Sequence, residues 1–285
     1  VATLPTSDQL LVVIDPVARR TDGESVRIAK DVLSGGAVLK LCLPEGPEEF
    51  ARALMRRGAR RPVVIGDDRT LLRAVSVLHR QRELAGCVLS VVPVGGVVSL
   101  AQSLGVPTGV VAAARSVLDG VERRLDLLVD DSDGVVLGTL RIPPASPHGA
   151  PAGVTAVPAG AGHPWLRTCQ SLVRTLVARP PRTANGSGPA RLRVEVDGTT
   201  VVDLDQPVET VTVTPEGSGR AAVEIRPLSG PGAEASPLLA RGRTVTVSGA
   251  DFRYRADAVV SGPVRTRTWR VRENAWRLVL PAPAR

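Results

Sequence analysis

Lysine is nearly missing from this 285-residue chain: Lys30 and Lys40 are its only two, and every other cationic side chain is arginine. A GC-rich genome explains that bias without any functional content. Aromatic residues make up 2% of the sequence, so a core drawn from its 43% apolar residues must be filled by valine, leucine and alanine. Cysteine is scarce as well. Cys42, Cys87 and Cys169 are far apart and odd in number, which argues against a disulfide framework or a CxxC metal site and fits a reducing compartment. His79, His148 and His163 are equally scattered, with no HExxH or triad-like arrangement. No metal held by histidine or cysteine is expected. The start, VATLPTSDQ, has neither a basic n-region nor an apolar h-region, so no secretory leader is expected.

Charge is absent from Leu84 to Ala114, a run long enough to suggest a membrane span. Pro93, Gly95, Gly96, Gly105, Pro107 and Gly109 interrupt it, and that spacing suits a strand, a loop and two short helices instead. A cytoplasmic protein is expected. The charge that is present is unevenly placed. Residues 1–140 balance 17 basic against 17 acidic side chains, whereas residues 141–285 hold 19 and 11, which puts the whole net charge of +8 in the second half. Such asymmetry points to a negatively charged partner.

The length is that of two domains or one large one. In the first half strand and helix patterns alternate. LLVVID (10–15), GAVLKLCLP (36–44), PVVIG (62–66) and VLSVVPVG (88–95) read as strands, with helices expected over 24–33, 47–57, 70–80 and 108–118. That alternation implies a parallel sheet covered on both faces. The character changes after about residue 125. Residues 142–164 are Pro/Gly/Ala-rich, 165–178 have helical spacing, and 180–190 form another flexible connection. From Arg191 onward short valine- and threonine-rich strands recur, as in an antiparallel β domain or sandwich. The expected fold is therefore a three-layer α/β domain over 1–125 followed by an antiparallel β-sandwich domain over 126–285. The C-terminal tail is a candidate to complete the first domain.

Several motifs stand in an order that resembles the bacterial diacylglycerol kinase and related lipid kinase family. Asp15-Pro16-Val17-Ala18-Arg19 stands where that family has NPxSG. Gly66-Asp67-Asp68-Arg69-Thr70 stands at the nucleotide turn GGDGT, and Pro93 to Pro107 at PLGTGNDFARALGIP. Arg123-Arg124-Leu125-Asp126 is similar to a basic pair before an Ile-Asp strand, and Asp257-Ala258-Val259 takes the place of a DGE motif. The resemblance implies an NAD kinase/diacylglycerol kinase-like nucleotide domain paired with a β-sandwich, the active site lying between them. It also implies transfer of a phosphoryl group from ATP, with Mg2+, to a lipid hydroxyl. Gly66, Asp68, Arg69, Thr70, Gly95 and Gly96 would meet the nucleotide, and Asp257 would act as base.

The altered letters fall on those same motifs. Asp67 puts a carboxylate where a glycine would let phosphate approach, and Arg69 puts a long side chain at another glycine. The Asn-Asp pair has become Val98-Ser99, and the companion glutamate of Asp257 is Val259. The nucleotide site thus reads as eroded. Simpler roles stay open for these residues: Asp67 or Asp68 as helix N-cap, Arg69 pointing to solvent, Val97 to Leu100 as packing, and Asp257 as a solvated strand residue beside Arg255. Arginines at i, i+2 spacing (241/243, 253/255, 265/267, 270/272) suggest a cationic sheet face, although 265/267 and 270/272 have opposite parity. Such a face would suit an anionic membrane, and peripheral attachment at the inner membrane face is one expected placement. No nucleic-acid reader motif is present. Three readings follow: a lipid kinase, a pseudokinase that binds lipid or nucleotide without catalysis, and a basic membrane-surface adaptor. Trp269 and Trp276 are expected to pack in the sandwich core.

Overall fold

The computed structural model describes residues 9–144, 190–228 and 236–283. Strands β1 (Gln9–Ile14), β2 (Val38–Cys42), β3 (Arg61–Gly66) and β4 (Val88–Pro93) are parallel and lie in the order β2-β1-β3-β4. The helices between them are α1 (Pro16–Thr21), α2 (Gly23–Ser34), α3 (Pro47–Met55), α4 (Asp68–Arg80), α5 (Ser99–Ser103) and α6 (Val110–Asp119). Alternate residues of β1 serve two cores. Leu11 and Val13 bury against Phe50 and Leu54 of α3 and Leu71 and Leu78 of α4. Leu10, Val12 and Ile14 bury against Val26, Ala29 and Leu33 of α2 and Ala113 and Val117 of α6. Burial on both faces is why these strands read as unbroken apolar runs instead of alternating ones.

Local chemistry sets the helix limits. α3 opens with Pro47 in its first turn, followed by Glu48 and Glu49, where missing N–H groups and acids cost least. α4 begins two residues before the expected Thr70, because Asp67 is its N-cap. α1 was not anticipated; Asp15 caps it and Pro16 supplies its fixed φ. The uncharged stretch from Leu84 to Ala114 resolves into β4, a loop, α5 and α6. Among the described residues no helix is long and apolar enough to cross a membrane.

The strand-rich remainder is antiparallel. β5 (Val121–Asp130), β6 (Val135–Val136), β7 (Leu140–Ile142), β8 (Ala190–Val196), β9 (Thr199–Val202), β10 (Pro207–Pro215), β11 (Ala221–Pro227), β12 (Leu238–Gly242) and β13 (Thr244–Ala256) lead to β14 (Val259–Leu280). β5 runs unbroken through residue 125. β14 joins the two parts: residues between Val259 and Arg270 pair with β13, residues between Trp269 and Leu280 pair with β5, and Arg277 and Leu278 lie parallel to β4. The segments RTRTWRV and WRLVLP belong to this one strand, with an irregularity between Arg272 and Trp276. Trp269 does pack among the C-terminal strands, edge-to-face with Tyr254 at 5.2 Å. Trp276 does not join it. It packs beneath α4 with Leu127 and Leu278, and its indole N–H donates to the Asp126 carbonyl at 3.2 Å. The helix expected at 165–178, and all but the ends of the loops expected near 142–164 and 180–190, lie outside the described residues.

Asp130, at the end of β5, is a buried carboxylate. Its Oδ1 accepts the Ser132 and Gly134 N–H groups and the Ser132 hydroxyl, and Tyr254 donates to Oδ2 at 3.3 Å. Burial raises its pKa, but these bonds and the Arg267 guanidinium outweigh burial, and the net direction is down. A carboxylate with a depressed folded pKa contributes stability above its unfolded pKa and loses it as pH falls through the folded one. Asp130→Asn is therefore expected to lower stability by about 2 kcal/mol at neutral pH. Thermal melts should show the gap from wild type narrowing as pH falls below the ordinary aspartate range; a gap of equal size at neutral and at acid pH would refute the assignment.

Candidate active site

The C-terminal ends of β1, β3 and β4 emerge side by side because the strands are parallel and in register. Crevices at such ends are where open α/β sheets hold ligands. The turns are stitched together: the Asp15 N–H donates to Ile65, Val94 to Gly66, and Asp68 to Val97.

At the β3–α4 turn, Asp67 Oδ1 accepts both the Thr70 N–H (3.0 Å) and the Thr70 hydroxyl (2.9 Å). Thr70 is buried, and a Cβ at Gly66 would lie within 2.7–2.9 Å of its side chain. Gly66 is thus fixed by packing against Thr70, and the threonine hydroxyl is turned into the cap. Asp68 is buried too. Its Oδ2 accepts the Leu100 N–H (2.8 Å) and the Ser99 hydroxyl (3.2 Å), and Oδ1 accepts the Ala101 N–H (3.1 Å). One carboxylate therefore caps α5 from the first turn of α4. Arg69 is exposed, with no hydrogen-bond or ion-pair partner among the described residues. It neither fills the turn nor blocks it.

Gly95 and Gly96 follow β4. Gly95 has φ +124°, and a Cβ there would lie 3.4 Å from the Asp67 Cβ. Gly96 borders open space. Asp15, at the end of β1, accepts the Val17 and Ala18 N–H groups, with the Arg73 guanidinium 3.6 Å from its other oxygen.

Asp257 comes from the far end of the chain. It is not a solvated strand residue: it occupies the two-residue turn between β13 and β14 with φ +49°. Its Oδ2 accepts the Leu137 N–H (2.7 Å), and Oδ1 accepts those of Gly138 and Thr139 (both 2.8 Å). Its own N–H donates to the Thr139 carbonyl. Burial pushes its pKa up; the three N–H bonds pull against that, and the Asp68 carboxylate adds to the rise. A Cβ at Gly138 would lie 2.7 Å from Leu100 and 3.1 Å from Asp257. Hence α5, with Asp68 behind it, touches the loop that Asp257 holds.

Asp68 and Asp257, far apart in sequence, are thus brought to Leu100 of α5 from two sides, and Gly95 lies against Asp67; Arg69 and Gly96 are exposed. A cavity of about 320 Å³ between β2 and α3, lined by Lys40, Cys42, Arg52 and Arg56, includes none of these residues. The arginine pairs do not share one face. Arg267 is largely buried against Asp130 and Asp131, while Arg265 meets Asp251 and Arg241 meets Glu216. Arg270 and Arg272 are exposed.

Residues 9–129 match the family model of the diacylglycerol kinase catalytic domain. That match supports the diacylglycerol kinase / lipid kinase family for this part of the chain. A structure described as a putative diacylglycerol kinase from Bacillus anthracis str. Sterne superposes with a TM-score of 0.68 at 12% identity, over 97% of this chain and 98% of that one. A second, also a putative diacylglycerol kinase from that organism, gives 0.67 at 11% identity over 98% and 99%. At that identity the likeness is one of fold. No curated protein matches the sequence.

The groups that such a kinase domain implies can be tested against this crevice. Open space beside Gly96, the bare backbone of Gly95 and an outward Arg69 fit the phosphates of a nucleotide. The carboxylates do not fit a metal held by the protein alone: Asp68 and Asp257 are taken up by backbone donors. Among the described residues no group of three or more His, Cys, Asp or Glu could hold an ion. The Leu137–Thr139 loop and the capping role of Asp15 escaped the sequence reading. The first has no motif, while the Asp15-Pro16 pair carried an N-cap signal.

Asp68→Ala strands the Leu100 and Ala101 N–H groups and should cost about 3 kcal/mol in chemical denaturation. Gly66→Ala should cost about 2 kcal/mol through the clash with Thr70. Unchanged midpoints for both would contradict a structural role for this turn.

Proposed function

We propose that the protein is a diacylglycerol kinase-like lipid kinase, transferring the terminal phosphoryl group of ATP to a lipid hydroxyl in the crevice between the parallel sheet and the strand-rich half, itself read as a β-sandwich. The observation that carries this reading is the meeting across α5 of Asp68, which caps it, and the loop held by Asp257, which touches Leu100, next to a stretch that matches the diacylglycerol kinase catalytic domain. ATP would supply the phosphoryl group. Gly95 and Gly96 let phosphate oxygens reach main-chain N–H groups, and Arg69 neutralises charge that builds during transfer. Asp257 takes the proton of the acceptor hydroxyl. Its raised pKa makes it a stronger base than an ordinary carboxylate while leaving it ionised above that pKa.

A second reading, nucleotide binding without transfer, is favoured by one observation. The Asp257 and Asp68 carboxylates already serve backbone N–H groups, so a base would have to work from the remaining lone pairs. This reading keeps the eroded motifs and predicts binding alone.

Incubation with Mg-ATP and dispersed short-chain diacylglycerol separates the two. Transfer is expected, with Arg69→Ala slowing it about a hundredfold and Asp257→Asn at least as much. The rate should fall on the acid side as Asp257 becomes protonated. A rise in melting temperature with Mg-ATP but no ATP consumed would select the second reading.

A further inference from the structure

The cavity between β2 and α3 lies apart from the crevice, and the fold alone does not account for its charge. β2 is the edge strand of the parallel sheet. Lys40 is the register partner of Leu11, so it stands on the sheet face where Leu11 is buried against Phe50 and Leu54 of α3. A lysine aimed inward from an edge strand protects that edge from pairing with another chain. That role needs no cation opposite it, yet α3 presents two. Glu49, Arg52 and Arg56 are spaced along one helix face and line the cavity together with Lys40. Arg56 ends α3, where the helix dipole favours a cation, but arginines four residues apart repel. Glu49 is already engaged: its Oε1 lies 4.0 Å from Arg52, and its Oε2 accepts the Glu45 N–H at 2.9 Å. Lys40 and Arg56 are exposed and have no hydrogen-bond or ion-pair partner among the described residues. Three cations and one carboxylate therefore line a cavity of about 320 Å³, a local charge of +2.

We propose that this cavity is a second ligand site and that it takes a phosphate monoester. At neutral pH such a group carries about −1.5 to −2 charges, which balances the lining; a diester carries about half as much. Arg52 and Arg56 offer paired N–H donors to phosphate oxygens, and Lys40 faces them as a point charge. Leu43, half-exposed just past β2, and Pro44 give the carbon-bearing part an apolar wall. The volume is at the lower end for small-molecule sites and suits the phosphate with a few carbons beyond it. A free glycerol- or sugar-phosphate and the headgroup of a lipid phosphate monoester share this chemistry and differ only beyond the ester oxygen. Occupancy would relieve the repulsion between strand and helix and so fasten β2 to α3 at the open edge of the sheet. Such binding requires no phosphoryl transfer at the crevice.

Calorimetry on the full chain without nucleotide tests this with glycerol 3-phosphate, dihexanoyl phosphatidate and, as the diester, dihexanoyl phosphatidylglycerol. A monoester is expected to bind at least about tenfold more tightly than the diester. Phosphatidate binding more tightly than glycerol 3-phosphate would assign the lipid headgroup; equal or tighter binding of glycerol 3-phosphate would assign the free ester. Lys40→Met and Arg56→Gln should each weaken the monoester about tenfold. Without ligand, their melting temperatures should stay level or rise, because a repelling charge is gone. Arg69→Ala, at the crevice, should leave binding intact. The bound monoester should also slow alkylation of Cys42, which lines the cavity and is half-buried. No monoester binding, a diester bound as tightly, no effect of Lys40→Met, unchanged Cys42 alkylation, or binding lost in Arg69→Ala would each overturn the site.

Discussion

A carboxylate taken out of water must find donors, and in this protein it finds them in the main chain. Asp15, Asp67, Asp68 and Asp257 each accept N–H groups of a turn at the crevice, while Asp126 and Asp130 do the same where β5 meets the C-terminal strands. Each bond satisfies a helix N-terminus or loop that would otherwise be left with orphan donors. The crevice has its shape because these clamps hold the β3–α4 turn, the start of α5 and the Leu137–Thr139 loop in fixed relation. Asp126 shows the same device at longer range. Its two oxygens bind the N–H groups of Gly219, in the β10–β11 turn, and of Asn274, in the irregular stretch of β14.

The same carboxylates therefore carry two demands that compete. A fully satisfied aspartate rigidifies, whereas a catalytic one needs a lone pair facing its substrate. Asp68 has moved far toward the structural side, with three donors on its two oxygens and almost no exposed surface. Asp257 stands between the demands. It is held by three donors, yet burial and the neighbouring Asp68 raise its proton affinity. Removing either acid changes the fold of the crevice as well as its chemistry, so loss of activity alone cannot assign a role to either.

The parallel half was legible because its signals are local. Apolar runs ending in Gly66 or Pro93, the Pro47-Glu48-Glu49 helix start and the broken charge-free stretch each fix an element within a few residues. The strand-rich half was legible as strands but not as connections. Nothing local says that β14 continues through Glu273 and Asn274, or that Trp276 leaves the company of Trp269. Those outcomes depend on partners more than a hundred residues away. The crevice shows the same divide. The place of Gly66 to Thr70 followed from the strand before it, and the capping role of Asp67 from residue type. The binding of Asp68 to α5, and of Asp257 to Leu137, Gly138 and Thr139, has no counterpart in spacing or composition.

β14 has a consequence for how the molecule comes apart. Its first part supplies Trp269 to the core of the C-terminal strands, and its last part supplies Trp276 and Leu278 to the core beneath α4. A segment that belongs to two cores cannot be released from one while the other stays intact. The two regions should therefore melt as a single cooperative unit, their slowest-exchanging amides shared along this strand. A local opening at the crevice would have to stop at the Asp257 hairpin. Such a strand makes the protein behave thermodynamically as one domain, whatever number its architecture suggests.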